Sequence, residues 1–255
     1  MSPSAGEHAD RLRVLTLNIQ VGLQTAHYRH YFTGAWRHVF PSRGVRSNLD
    51  RIADLASRFD VVALQEADAG SLRTGQLNQV EYLARRGGFE HWHVAVNRDL
   101  GPFAQHCLGF LSREPLLDLH HYALPGRVPG RGALSAILQK PGYRAVQLVA
   151  THLALSRSSR ARQLDYLAAL PRAGSETVLL GDLNCDCDEL QRHAPLARAG
   201  LAPIPGAPTF PSWAPQRRID HVLATPGLRV AHSHVVPTPL SDHLAVAAEL
   251  HLPRT

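Results

Sequence analysis

The chain has 255 residues, 44% hydrophobic and 19% charged, a composition that excludes a disordered or low-complexity protein. No apolar run approaches the ~20 residues of a membrane span, so stable membrane insertion is not expected. The net charge of +6 is carried almost wholly by arginine, since Lys140 is the only lysine; arginine pairs bidentately with phosphate, which favours an anionic substrate without choosing among nucleic acid, lipid headgroup and small phosphate.

Residues 12–19 are apolar at nearly every second position and read as a strand. Ser47-Asn48-Leu49-Asp50 resembles a helix cap, and Leu49, Ile52, Ala53, Leu55 and Ala56 recur at helical spacing, which predicts a helix to about Phe59. The continuous apolar run 60–64, ending in Gln65-Glu66, suits a strand buried on both faces. A strand–helix–strand opening makes the two strands parallel and sets Asn18 beside Glu66. A second helix is expected over 76–86, stopped by Gly87-Gly88. The short runs 91–96, 107–112, 116–122, 133–139 and 144–152 leave no room for helices between them, so they pair antiparallel. A helix over 156–170 ends at Pro171, and a strand at 177–180 leads into Asp182. Residues 188–199 read as a helix disturbed at Pro195, 202–217 as a Pro-rich loop, and 219–224, 228–236 and 244–250 as closing strands. About ten strands and four helices in this order fit an α/β fold of two mixed sheets packed face to face, each covered by helices.

No Pro/Gly/Ser-rich stretch divides the chain and no repeat is visible, so a single domain over 11–252 is expected, after a disordered tail at 1–10. That tail lacks the apolar core of a secretory signal. Cys107, Cys185 and Cys187 are too few for a disulfide framework and suit a reducing compartment, hence a cytoplasmic location.

The polar residues that follow the apolar runs carry the chemistry. Taken singly, each has an ordinary explanation: Asn18 as a turn residue, Glu66 as a solvated acid, His152 as a core histidine, Asp182 and Asn184 as an Asx turn. Together they deliver an amide, carboxylates and histidines to strand ends. Mg²⁺ takes oxygen ligands and needs only one or two carboxylates, which Glu66 beside Asn18 supplies. In Asp220-His221 and Asp242-His243, an acid next to a histidine can fix its tautomer and raise its basicity. Cys185 and Cys187 have no Cys or His partner at zinc spacing. Gly-x-Ser-x-Gly, Gly-x-x-x-x-Gly-Lys and His-Glu-x-x-His are all missing from the sequence.

In order, Leu15-Thr16-Leu17-Asn18, Leu64-Gln65-Glu66, Gly109-Phe110-Leu111-Ser112-Arg113, Arg131-Gly132-Ala133-Leu134, Thr151-His152-Leu153, Gly181-Asp182-Leu183-Asn184, Ile219-Asp220-His221-Val222 and Ser241-Asp242-His243 resemble the endonuclease/exonuclease/phosphatase superfamily, which includes DNase I. The resemblance implies a four-layer α/β/β/α sandwich and a Mg²⁺-dependent phosphoesterase, with Mn²⁺ as a substitute ion. It implies Glu66 as principal metal ligand, with Asn18 beside it and Asp242 adding negative charge. Asp182 and Asn184 would position the attacking water and the phosphate. His243, held by Asp220, would be general base or phosphate ligand, and His152 would stabilise the phosphorane oxygens or assist the leaving group. Asn18, Asn184 and Arg131 would contact substrate. DNase I-like members pair the first histidine with a carboxylate ahead of a central strand; here Gln105-His106 stands near that place, so the partner of His152 is open. The stretch Gln65 to Leu83, with Asp68, Ser71, Arg73 and Gln79, resembles uncharacterised bacterial members, as does Pro208-Thr209-Phe210-Pro211-Ser212-Trp213. Both are expected to border the cleft and choose the substrate.

The leading expectation is hydrolysis of a phosphodiester, in nucleic acid or in a lipid or small-molecule headgroup. The alternatives are a phosphomonoesterase of inositol-phosphate type and a catalytically silent phosphate- or nucleic-acid-binding module. A nuclease would use Arg127, Arg131, Arg157, Arg160, Arg217 and Arg218 as a basic surface. A lipid or sugar-phosphate hydrolase would show an apolar rim from Trp36, Phe40, Phe103 and Trp213. The aromatic, histidine-rich stretch 22–43 reads as a lid or an extra helix.

Overall fold

β1 (Arg11–Asn18) and β2 (Val61–Asp68) run parallel, with Asn18 opposite Gln65, and α1 (Arg43–Ala56) lies between them in sequence. The structure is a computed structural model that describes residues 10–23, 43–127 and 129–255. The remaining elements are α2 (Gln79–Gly87), β3 (His91–Asp99), β4 (Gln105–Ser112), β5 (Leu116–Ala123), β6 (Gly132–Leu138), β7 (Val146–His152), α3 (Arg157–Ala168), β8 (Glu176–Asp182), α4 (Cys187–Gln191), α5 (Ala194–Arg198), β9 (Ala202–Pro203), β10 (Asp220–Ala224), β11 (Arg229–Val235) and β12 (Val246–His251). Two six-stranded mixed sheets result, in the orders β11-β12-β1-β2-β4-β3 and β5-β6-β7-β8-β10-β9.

The period-2 pattern of each strand assigns its two faces. Leu12 and Val14 of β1, with Val61 and Ala63 of β2, face inward and meet Ala136, Leu148, Ala150, Leu180 and Val222 of the other sheet. The alternate residues Leu15, Leu17, Val62 and Leu64 face outward and pack under Leu49 and Ile52 of α1 and Val80 and Leu83 of α2. On the far side, Val149, Leu179 and Leu223 pack under Leu164 and Leu167 of α3, Leu190 of α4 and Leu196 of α5. This is the expected α/β/β/α sandwich. At about 1.5–3 kcal/mol for each large side chain fully buried, all three apolar layers contribute substantially to stability.

Register brings the polar residues to one edge. His152 pairs with Asp182 across the parallel β7–β8 ladder. β10 is antiparallel to β8, so its first residue, Asp220, sits opposite the last residue of β8, Asp182. Gly181 permits this packing: its φ is +153°, and a Cβ there would lie 1.9 Å from the Thr151 carbonyl oxygen.

Several expectations are corrected. β2 does not end at Gln65-Glu66; it continues to Asp68 through a bulge between Leu64 and Ala67. α1 begins at Arg43, so Asn48 is inside the helix and not a cap. It is buried there, its Nδ2 donating to the carbonyls of Gly22 (3.1 Å) and Leu240 (2.6 Å). The helix expected over 188–199 is two short ones, because Pro195 cannot continue the first and instead starts the second. Asp10, placed in the tail from sequence, accepts from His251 Nδ1 at 3.0 Å, so order extends at least to it. Residues 24–42, including Trp36, Phe40 and most of the proposed lid, lie outside the described residues.

Candidate active site

The second sheet contributes a row of side chains at its edge, His152, Asp182 and Asp220, all buried. Asp182 Oδ1 accepts from the Asn184 backbone N–H (3.0 Å); Oδ2 accepts from Asn18 Nδ2 (3.3 Å) and lies 3.3 Å from His152 Nε2. Burial alone would favour the neutral acid. The charge and hydrogen bond of His152, then the charge of His243 and the Asn184 N–H, hold the carboxyl well below the usual range.

His243 follows a turn stapled by Ser241, whose Oγ donates to the Asn18 carbonyl (2.5 Å) and accepts from the His243 N–H (3.0 Å). Its Nδ1 is 2.9 and 3.1 Å from the Asp220 oxygens, and Nε2 lies 3.9 Å from Asp182 Oδ2. Burial opposes a charge on this ring, but Asp220 outweighs it, and with Asp182 and Asp242 raises the imidazole to about 10. Asp220 also accepts from Thr209 Oγ1 at 2.5 Å. The Phe210 ring packs on the His243 ring, centroids 4.9 Å apart.

The first sheet supplies Asn18 and Glu66. Asn18 spans the sheets: Oδ1 accepts from the Gln20 N–H (3.1 Å) while Nδ2 reaches Asp182. Glu66 lies in the β2 bulge with φ +53°. A bulge re-aims a side chain, and here Gln65 stays buried against Thr16, at 3.1 and 3.2 Å, while Glu66 turns to the cleft. Its side chain is 35% exposed and Oε1 is 3.9 Å from His152 Nε2. His152, whose partner the sequence leaves open, therefore faces Asp182 and Glu66.

Three readings from sequence change. Asp68, Ser71 and Gln79 are buried and are not part of the cleft lining, which includes Glu66 and His152. Asp68 accepts from the N–H groups of Gly70 and Ser71, from Ser71 Oγ and from Arg73 Nε (2.6 Å), while Gln79 ties β2 to Val21. Only Arg73 reaches the cleft, through His106, a residue without an expected role. Burial, then Arg73, lowers the His106 pKa. Among the arginines proposed for a basic surface, Arg160 is buried in a two-point pair with Glu189, at 2.9 Å for each bond, and Arg218 donates to the Ile204 carbonyl. His221 serves the backbone, with Nε2 on the carbonyls of Cys185 (2.9 Å) and Arg218 (3.1 Å); Asp220 acts on His243 instead.

The Thr209–Ser212 segment is the part that sequence reasoning undervalued. It clamps the Asp220–His243 pair through Thr209 and Phe210, and Ser212 Oγ donates to the Ser241 carbonyl (2.6 Å). From sequence it reads as part of a Pro-rich loop bordering the cleft, and nothing in its text names Asp220 or His243 as partner.

The oxygen-rich set around Glu66 fits a hard divalent cation, with a half-exposed carboxylate facing a polar cleft beside Asn18 and Asp182. Ligand atoms of Asp182, Asp220 and His243 also lie within 4.8 Å of one another. Asp220 is already engaged by His243 and Thr209, whereas His243 Nε2 stands 3.9 Å from Asp182, beyond hydrogen-bond reach. Asp242 is buried, its carbonyl accepting from the Ser212 N–H at 2.8 Å, and its charge acts on His243. Cys185 is buried, which raises its thiol to about 12, and no cysteine belongs to a metal-capable group among the described residues. The cleft has a volume of about 200 Å³, and Glu66, His106, Arg131 and His152 are among its lining.

A four-layer sandwich with amide, carboxylate and histidine groups converging at one edge of both sheets defines a DNase I-like α/β protein. The chain belongs to the Endonuclease/Exonuclease/phosphatase family, whose model matches residues 15–243. Members of this family typically hydrolyse phosphoesters and are generally dependent on divalent metals. The structure is similar to an endonuclease/exonuclease/phosphatase from Beutenbergia cavernae, with 27% identity, 95% of this chain and 72% of that one covered, and a TM-score of 0.74. It is also similar in fold to a mannosyl-6-phosphatase from Bacteroides thetaiotaomicron (16% identity, 94% and 99% covered, TM-score 0.69). A third similar fold is the human Nocturnin catalytic domain with bound sulfate (17% identity, 95% and 93% covered, TM-score 0.68). No curated protein sequence matches the chain. None of its described helices is long and apolar enough to cross a membrane.

Proposed function

We propose that the protein is a Mg²⁺-dependent phosphodiesterase. The observation that carries this reading is the meeting of Glu66, His152, Asp182 and the Asp220–His243 pair in one cleft, from strands of both sheets. Glu66 and Asn18 would hold the cation, with Asp242 adding negative charge behind them. A bound cation would neutralise charge developing on the phosphoryl and leaving oxygens. Asp182, oriented by Asn18 and the Asn184 N–H, is placed to accept a hydrogen bond from the attacking water. Asp220 holds His243 at Nδ1 and favours the protonated ring, so Nε2 would serve as a donor to the phosphate. His152 supplies a further donor, and Arg131 offers charge to a non-bridging oxygen. Residues 11–252 act as one domain in this reading. Buried free Cys107 and Cys185 suit a reducing compartment, and we place the protein in the cytoplasm.

Monoester hydrolysis is the second reading, favoured by Arg98 and Arg131 near the cleft, which suit a dianion. Turnover of bis-p-nitrophenyl phosphate and p-nitrophenyl phosphate, with Mg²⁺, with Mn²⁺ and with EDTA, separates the two. The expected result is diester hydrolysis abolished by EDTA and reduced ~10³-fold in His243→Ala. Turnover that survives both EDTA and Glu66→Ala would overturn the mechanism.

A further inference from the structure

The cleft does not stop at Glu66 and His152. It continues to a wall made by Asn97 and Arg98 of β3, His106 of β4 and Arg131 just ahead of β6. This wall joins the two sheets, and it is built closely. A Cβ on Gly130 would lie 2.9 Å from Arg98 Cβ, so only glycine lets the segment before β6 rest on the arginine stem.

Asn97, Arg98 and Arg131 bring donors and positive charge to the wall, while His106 turns both ring nitrogens to Arg73. Asn97 Oδ1 is occupied by His121 Nε2 at 2.8 Å, which leaves the Asn97 amide hydrogens for the cleft. His106 is held by Arg73, with Nη1 3.3 Å from Nε2 and Nη2 3.5 Å from Nδ1, and Arg73 is itself anchored by buried Asp68. Among the described residues, neither Arg98 nor Arg131 has an ion pair or a side-chain hydrogen bond. Facing like charges destabilise one another unless something negative comes between them. Burial lowers the pKa of the largely buried Arg131; Glu66 and Asp182 oppose this, and Arg98 adds to it. Among the described residues lining the cleft, Glu66 is the only carboxylate, and it is committed to the cation.

We propose that Arg98 and Asn97 form a second anion subsite in this wall, with Arg131 lying between it and the reacting phosphate. It receives a phosphate of the substrate other than the one being hydrolysed. The preferred substrate therefore carries two phosphates close together, on a nucleotide or on a small sugar phosphate. The proposal builds on the phosphoesterase reading, which supplies the site for the first phosphate.

Its test breaks no bond. Calorimetric binding of thymidine 5′-monophosphate and thymidine 3′,5′-bisphosphate is measured on the full chain in EDTA. A parallel arm uses fructose 6-phosphate and fructose 1,6-bisphosphate. At least one bisphosphate is expected to bind about tenfold tighter than its monophosphate, and the pair with the larger advantage identifies the source. Arg98→Gln, which keeps the stem packed on Gly130, should cut that advantage to about threefold or less and lower the salt slope of binding by about one. Asn97→Ala should give a smaller loss in the same direction. Equal affinities within both pairs, or an advantage that Arg98→Gln leaves intact, would overturn the subsite. Because binding is read without turnover, this result is independent of whether bis-p-nitrophenyl phosphate is hydrolysed.

Discussion

The two sheets furnish the candidate site in different ways. The second sheet offers His152, Asp182 and Asp220 from regular ladders, buried and fixed by register. The first offers Glu66 from a bulge, in a left-handed backbone conformation, with its side chain 35% exposed and nearest His152 at 3.9 Å. One half is over-determined by hydrogen bonds, while the other is held open and strained. That division suits a rigid scaffold for the reacting group facing a carboxylate that must adapt to a cation.

The contrast can be broken most sharply by paired substitutions. Glu66→Gly should lower Mg²⁺-dependent turnover ~10³-fold yet raise stability by about 1 kcal/mol, because it relieves the positive φ. Asp220→Asn should lower turnover similarly but cost about 3 kcal/mol, since a buried charged partner is lost. Kinetics and urea unfolding on the same two proteins check both, and a destabilised Glu66→Gly would refute the strain argument. Gly181→Ala should cost about 3 kcal/mol or more, because its Cβ meets the β7 backbone and nothing nearby is soft enough to yield. Thr209→Val should cost about 1–2 kcal/mol and lower kcat roughly tenfold with KM little changed, by loosening Asp220.

The smallest effect concerns pH. Burial lowers the His221 pKa from its ordinary 6.5, so the folded protein resists protonating it. Above pH 6.5 both folded and unfolded chains hold it neutral, and its effect is nil. As pH falls below that value, only the unfolded chain gains the proton, so stability declines until the folded value is passed. The slope from this one group is at most ~1.4 kcal/mol per pH unit. Comparing unfolding of the wild type and His221→Gln from about pH 7 to 5 should show a flatter profile in the variant.

Much of this arrangement is legible in the sequence, for a physical reason. Apolar runs mark β1, β2 and β8 and place Asn18 and Asp182 at the ends of β1 and β8. What sequence does not reveal are the pairings and local breaks. The β2 bulge is invisible because Leu64, Gln65 and Glu66 carry no glycine to announce it. Asp68 reads as a cleft residue because acids usually face water, yet here N–H and O–H donors of its own loop surround it. Asp220 lies beside His221 in sequence but its side chain meets His243, because successive strand residues point to opposite faces. Asn48 looks like a cap because the helix extends backward through residues that lack a start signal.

The inner faces of the sandwich carry small residues, Ala63, Ala136 and Ala150, among the leucines. Since Glu66 and His152 belong to opposite sheets, the gap between them works as a caliper whose jaws are set by that apolar filling. Catalytic spacing is then written partly in methyl groups that never touch the substrate, and thickening the layer at Ala150 would open the jaws without altering a single polar atom.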